Sequence, residues 1–195
     1  MKIFKKILCE VKNLLLFFVN YFPGYIGIIL RRFYYKFSFQ KLGSNFNSEI
    51  GFKSECTQNI QIGNNANFTR NCSLNSCGGI ILIGDNFSAN QNVDINSSKG
   101  GTIEIGSDVL IGNNVVIRSA NHIYKNTKEK INESGHNSGK ISIGNNVWIG
   151  ANCVILKDVS IGDNSVIGAG TVVSKNVKDN QLAISNKQEN IEINK

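Results

Sequence analysis

The chain has 195 residues, 41% of them hydrophobic, with 19 glycines and one proline, which suits one buried core of strands joined by tight corners plus an appendage. Its formal charge of +7 is confined to residues 1–41, where eight basic side chains face only Glu10; the remaining residues carry thirteen charges of each sign. The basic character therefore belongs to the N-terminal segment and gives no reason to expect nucleic acid as a partner. Five cysteines, odd in number and without a C-x-x-C pair, point to free thiols in a reducing compartment rather than to a disulfide framework or a zinc site.

Residues 1–41 read as a basic helical hairpin. Ile3, Phe4, Ile7, Leu8, Val11, Leu14, Leu15 and Phe18 recur at i, i+3, i+4 spacing, Pro23-Gly24 breaks the pattern, and YIGIILRRFYYKF resumes it. A signal peptide is disfavoured because no small-residue cleavage site follows the apolar run. A membrane span is disfavoured because Asn20, Pro23, Gly24 and Gly27 interrupt the uncharged stretch. Two readings stay open for residues 1–37: an interfacial pair on the anionic inner face of a membrane, and a cap over the first turn of a repeat array.

From residue 42 a six-residue period sets in. Ile62, Phe68 and Leu74 form one run, Ile83, Ala89 and Ile95 another, and Ile105, Ile111 and Ile117 a third. GGI at 78–80 and SSKGG at 97–101 make corners a few residues too long. The period stops after Ile117 and returns at Ile141, so residues 119–140, polar and carrying both histidines, must loop out of the wall. Ile143, Ile149, Ile155, Ile161, Ile167 and Val173 then keep the period strictly. Six fits neither a helix nor an isolated strand, but three hexads close one triangular coil, with an aliphatic residue inward on each side and Gly, Asn or Asp at the corners. Asparagines in N-x-S/T triplets, at Asn67, Asn71 and Asn86, are expected to be corner residues, and Cys153 a small buried apolar one. The tail, 179–195, loses the repeat.

The stretch GNNVWIGANCVILKDVSIGDNSVIGAGTVVSK resembles the hexapeptide-repeat acyltransferases, closest to the sugar O-acetyltransferases of the galactoside, maltose and nodulation group and to surface-polysaccharide acetyltransferases. The resemblance implies an all-β fold, a left-handed parallel β-helix over 42–178, preceded by the helical segment and interrupted by the excursion. It implies acetyl-CoA as co-substrate, a sugar or glycan acceptor, a homotrimer and a cytoplasmic enzyme.

Acyl transfer to a hydroxyl needs a base for the hydroxyl proton and donors for the oxyanion. His122, at the start of the excursion, stands where these acetyltransferases hold their catalytic histidine, whereas His136 has no such register and reads as a solvated loop residue. Asn90 matches a family asparagine at the acceptor, with a turn residue as its plainer description. Trp148, Ala151, Ala169, Ser174 and Lys175 match the family's acetyl-CoA contacts, with Lys175 suited to a phosphate. No P-loop or metal-ligand cluster appears, and the two histidines are too few for the zinc site of the γ-class carbonic anhydrases. The expected activity is O-acetylation of a sugar hydroxyl in a bacterial surface polysaccharide or its precursor. N-acetylation of an amino sugar nucleotide, or a non-catalytic scaffold, are the alternatives.

Overall fold

The computed structural model describes residues 2–125 and 128–185. Two helices, α1 (Lys2–Tyr21) and α2 (Gly24–Lys36), lead into a three-sided coil of parallel strands. The first face runs from Lys41–Leu42 to Ser160–Ile161, the second from Asn47–Ser48 to Leu182–Ala183, and the third from Lys53–Glu55 to Val172–Val173. Pairing is parallel and in register throughout each face, as in Leu110 beside Trp148 and Trp148 beside Val166. The fold is a parallel β-helix of three-sided coils, as the hexads imply, with the left hand that the resemblance implies.

The hexad residues meet along the axis. Ile143, Ile149, Ile155, Ile161, Ile167 and Val173 are all buried, as is Cys153 beside them. At the N-terminal end aromatic rings replace the aliphatics, and Tyr35, Phe39, Phe46, Phe52, Phe68 and Phe87 stack with centroids 5.0 to 6.1 Å apart. Tyr35 and Phe39 come from α2 and the turn after it, so the hairpin closes the open end of the first coil as a repeat array requires.

Two edges of the triangle are built alike in nearly every coil. The corner residues between the first and second faces, among them Asn45, Asn65, Asn86, Asp108, Asn146 and Asn164, adopt φ between +53° and +60°. So do Asn71, Asn92, Asn114 and Asn152 between the second and third faces. Asparagine tolerates this left-handed backbone, and its amide reaches the same residue of the next coil. Asn65 Nδ2 donates to Asn86 Oδ1 at 2.9 Å, and Asn92 Nδ2 to Asn114 Oδ1 at 2.9 Å. Asn71 and Asn86 are thus corner residues as expected, while Asn67 lies in a strand instead.

Coil lengths nevertheless differ. Ladder partners are 20, 21, 22, 38 and 18 residues apart in successive coils. The steps from first to second face and from second to third never vary: Ile105, Ile111, Ile117 and Ile143, Ile149, Ile155 keep the hexad on both sides of the 38-residue coil. Every added or missing residue falls at the third edge, where the third face returns to the first. The long corners at 78–80 and 97–101 lie there, and so does the excursion.

The thiol expectation is corrected at this edge. Cys56 and Cys77 are joined in a disulfide, 21 residues apart. A separation equal to one coil stacks two residues side by side, and nothing in the spacing of a linear cysteine motif registers that. Cys72 and Cys153 are free and buried; the Cys9 side chain lies outside the described residues.

Candidate functional site

The excursion leaves the wall after Arg118 and forms a small antiparallel ladder, Ala120–His122 against His136–Ser138. Its base is fixed to the wall: Gly139 N–H donates to Ser119 O at 2.7 Å, and Thr102 N–H to Gly139 O at 3.1 Å. The returning strand meets the next coil at Asp158, whose carboxylate accepts from Lys140 N–H at 3.3 Å. A hydrogen bond from the Lys157 ammonium holds the Asp158 carboxyl below its ordinary range.

The register sets His122 directly opposite His136, with ring centroids 4.1 Å apart. Both are exposed. Partial desolvation, the charge of His122 and that of Lys99 hold the His136 imidazole below its usual pKa. A shallow pocket of about 330 Å³ opens beside the pair, lined by Asn121, His122, Tyr124, Asn137 and Lys157. His136 is the exposed residue of the excursion that the sequence suggests, but its register opposite His122 comes from a ladder with no periodic sequence signal.

Asn90 lies at the second edge, not at the left-handed corner position, which Asn92 occupies. It belongs to the file Glu49, Thr69, Asn90, Gly112, Gly150, Gly168, one residue per coil, tied by bonds such as Asn90 N–H to Ile111 O at 2.9 Å and Gly112 N–H to Ile149 O at 2.7 Å. Its backbone is thus committed and its side chain is exposed. Below it the edge is stripped of side chains. A Cβ on Gly150 would stand 2.6 Å from Ala169 N, so the coils approach closely there only because the position is glycine.

Trp148 is on the second face, 53% exposed, between Leu110 and Val166. Ala151 and Ala169 follow it on the second edge, in successive coils. These three form one strip, an exposed indole followed by an edge of glycine and alanine. Ser174 and Lys175 are not on that strip. They stand at the third edge, at the C-terminal end, in a groove of about 700 Å³ shared with Thr171, Gln181 and Ser185. Residues 186–195, which hold the rest of the unusual tail, lie outside the described residues.

Within one chain, then, His122 belongs to the third edge and Asn90 to the second, with the third face between them. Among the described residues no group of three or more His, Cys, Asp or Glu side chains is placed to hold a metal ion.

The family model for bacterial transferase hexapeptides, six repeats, matches residues 140–175. A galactoside acetyltransferase solved in complex with coenzyme A is 32% identical with a TM-score of 0.63, over 89% of this chain and 74% of that one. A hexapeptide-repeat acetyltransferase from Vibrio cholerae O1 biovar eltor, complexed with acetyl coenzyme A, is 26% identical with a TM-score of 0.53, over 80% and 71%. A variant of AntD, an N-acyltransferase from Bacillus cereus, solved with dTDP-4-amino-4,6-dideoxyglucose and coenzyme A, shares 20% identity at a TM-score of 0.69, over 85% and 89%; that likeness is one of fold. No curated protein matches the chain.

Proposed function

Because the chain belongs to the hexapeptide-repeat acetyltransferases and takes acetyl-CoA as co-substrate, we propose that it O-acetylates a sugar hydroxyl of a bacterial surface polysaccharide or its precursor, with His122 as general base. The observation that carries the reading is the placement of His122, exposed on a ladder anchored at both ends to a rigid wall. His122 takes the proton of the acceptor hydroxyl as its oxygen attacks the thioester carbonyl, and returns it to the coenzyme A thiolate as the C–S bond breaks. Asn90 donates from its side-chain amide to the oxyanion or orients the hydroxyl. Trp148, Ala151 and Ala169 line the path of the pantetheine arm, and Ser174 and Lys175 meet the phosphate end.

The separation of His122 from Asn90 supports a homotrimer. A site that uses both draws one from each of two neighbouring chains, which a cyclic arrangement supplies three times over. Light scattering tests this, and a fully active monomer would contradict it. Replacement of His122 by Ala should lower kcat by roughly 10² to 10⁴ while leaving coenzyme A binding intact; an unchanged rate overturns the assignment.

The fold shared with AntD favours a second reading, N-acylation of an amino sugar nucleotide. An acceptor screen separates the two: rapid turnover of a nucleotide-linked amino sugar, with none on glycan hydroxyls, selects the second. The reading carries with it a cytoplasmic enzyme, as the resemblance implies, with residues 1–37 at the inner face of the membrane. Among the described residues no helix is long and apolar enough to cross a bilayer.

A further inference from the structure

Helix α2 is inverted. Its buried residues are Gly27, Arg31 and Tyr35, whereas Ile26, Ile29, Leu30 and Phe33 face outward. Arg31, 1% exposed, is the internal fastener: Nε donates to Ser48 O at 2.8 Å, and Nη1 to Val19 O at 3.0 Å and Phe22 O at 2.9 Å. The guanidinium thereby satisfies carbonyls at the C-terminal end of α1, which have no partner within the helix. The Tyr35 hydroxyl donates to Asn20 Oδ1 at 3.1 Å, and Arg32 Nε to Phe46 O at 2.8 Å. At Gly27 the turn between the helices lies so close to α2 that a Cβ would stand 1.9 Å from Phe22 O. Polar links and an aromatic plug thus hold the hairpin to the first coil.

The apolar side chains that usually do that work are left outside. On α1 Phe4, Ile7, Val11, Leu14, Leu15 and Phe18 are exposed at i, i+3, i+4 spacing. On α2 Ile26, Ile29 and Phe33, and Phe37 just after it, are exposed as well. Capping accounts for Tyr35 and Phe39 but for none of these. We propose that this outward surface of the hairpin is a docking face for an anionic lipid bilayer, bound in the interface plane without spanning it.

The charge selects lipid over a second copy of the chain. Arg31 and Arg32 are tied inward to backbone carbonyls, but the six lysines of residues 1–41 outnumber the one acid, Glu10, so two such faces repel each other, whereas an anionic surface attracts both the lysines and the apolar stripe. Lys6 and Lys36, on opposite helices, are both exposed. In a cyclic trimer the three hairpins lie at one height along the axis and meet a flat surface together, which multiplies a weak contact. The inference rests on the proposed function only for what the bilayer presents, an acceptor anchored in lipid; docking itself needs no acetyl transfer.

The test is flotation of the full-length chain with vesicles of phosphatidylcholine containing phosphatidylglycerol. Binding should fall at least tenfold on vesicles of phosphatidylcholine alone, and should weaken steadily with added salt. Leu15→Ser, Phe18→Ser and Phe33→Ser together should abolish it while the melting temperature stays near, and activity on a soluble acceptor at, the wild-type level, since all three side chains are more than half exposed. His122→Ala should float as the wild type does, so loss of the catalytic assignment and loss of the docking face are separable. Equal binding by the triple variant overturns the proposal. So does a wild-type chain that ignores anionic vesicles while light scattering shows a larger assembly that the triple variant dissolves, because the face is then covered by a second copy.

Discussion

His122 and His136 stand opposite one another across the ladder at the base of the excursion, their ring centroids 4.1 Å apart. Desolvation comes first among the causes that depress the His136 pKa, followed by the charges of His122 and Lys99. Removing a cationic neighbour should therefore let His136 take its proton at higher pH. In NMR titrations, Lys99→Met and His122→Ala should each move the His136 midpoint upward towards the ordinary histidine range. The sign for stability follows: a His with a depressed folded pKa binds fewer protons folded than unfolded, so the ladder loses stability as pH falls through the unfolded value near 6.5. Protection of the amides at 120–122 and 136–138, measured against their intrinsic exchange rate at each pH, should fall below that pH and hold above it.

Trp148 is the only tryptophan of the chain and lies on the surface. Its fluorescence should change on titration with coenzyme A, giving an affinity without turnover. Replacement by Ala should raise the KM for acetyl-CoA about tenfold, near the 1–2 kcal/mol that a well-placed aromatic contact contributes. Because the indole is already half in water, the melting temperature should hold.

The corner ladders set two substitutions apart at one position. Asn114→Gly keeps the left-handed backbone available and loses only the amide bonds to Asn92 and Asn152. Asn114→Ala loses the same bonds and adds a backbone strain of about 1 kcal/mol. Denaturant unfolding should therefore rank wild type, then Gly, then Ala, with Ile117→Ala in the core last, about 2–5 kcal/mol below wild type.

The thiols can be counted. In a Cys9→Ser background, the denatured, unreduced chain should offer Cys72 and Cys153 to a thiol reagent, and the reduced chain should add Cys56 and Cys77. In the folded state Cys72, buried and pushed up to about 11, should resist the reagent at pH 8. Four thiols in the unreduced protein would remove the bond.

The wall could be read from the hexads because a single inward position repeats at fixed spacing; Ile143 to Val173 needed only counting. The outward-facing stripe of the hairpin was also visible as periodicity, but periodicity does not say which face turns inward, and Arg31 inverts the usual choice. What joins residues of different coils was less accessible. The Cys56–Cys77 bond requires knowing that this coil has 21 residues, and the His122–His136 pair requires the register of a ladder inside an irregular loop. Lys175 matched a family pattern, yet it stands at another edge from Trp148, a separation that linear order does not reveal.

The uneven treatment of the three edges has a consequence for how such a chain can change. An insertion at the first or second edge would put asparagine ladders and the glycine file out of step with every coil below. At the third edge a coil has taken 22 residues, 38 or 18 with both neighbours undisturbed. Segments along one seam can therefore be lengthened, shortened or exchanged while the wall, its asparagine ladders and the strip at Trp148 stay as they are. Grafting a relative's excursion between Ser119 and Lys140 is the design that this seam invites.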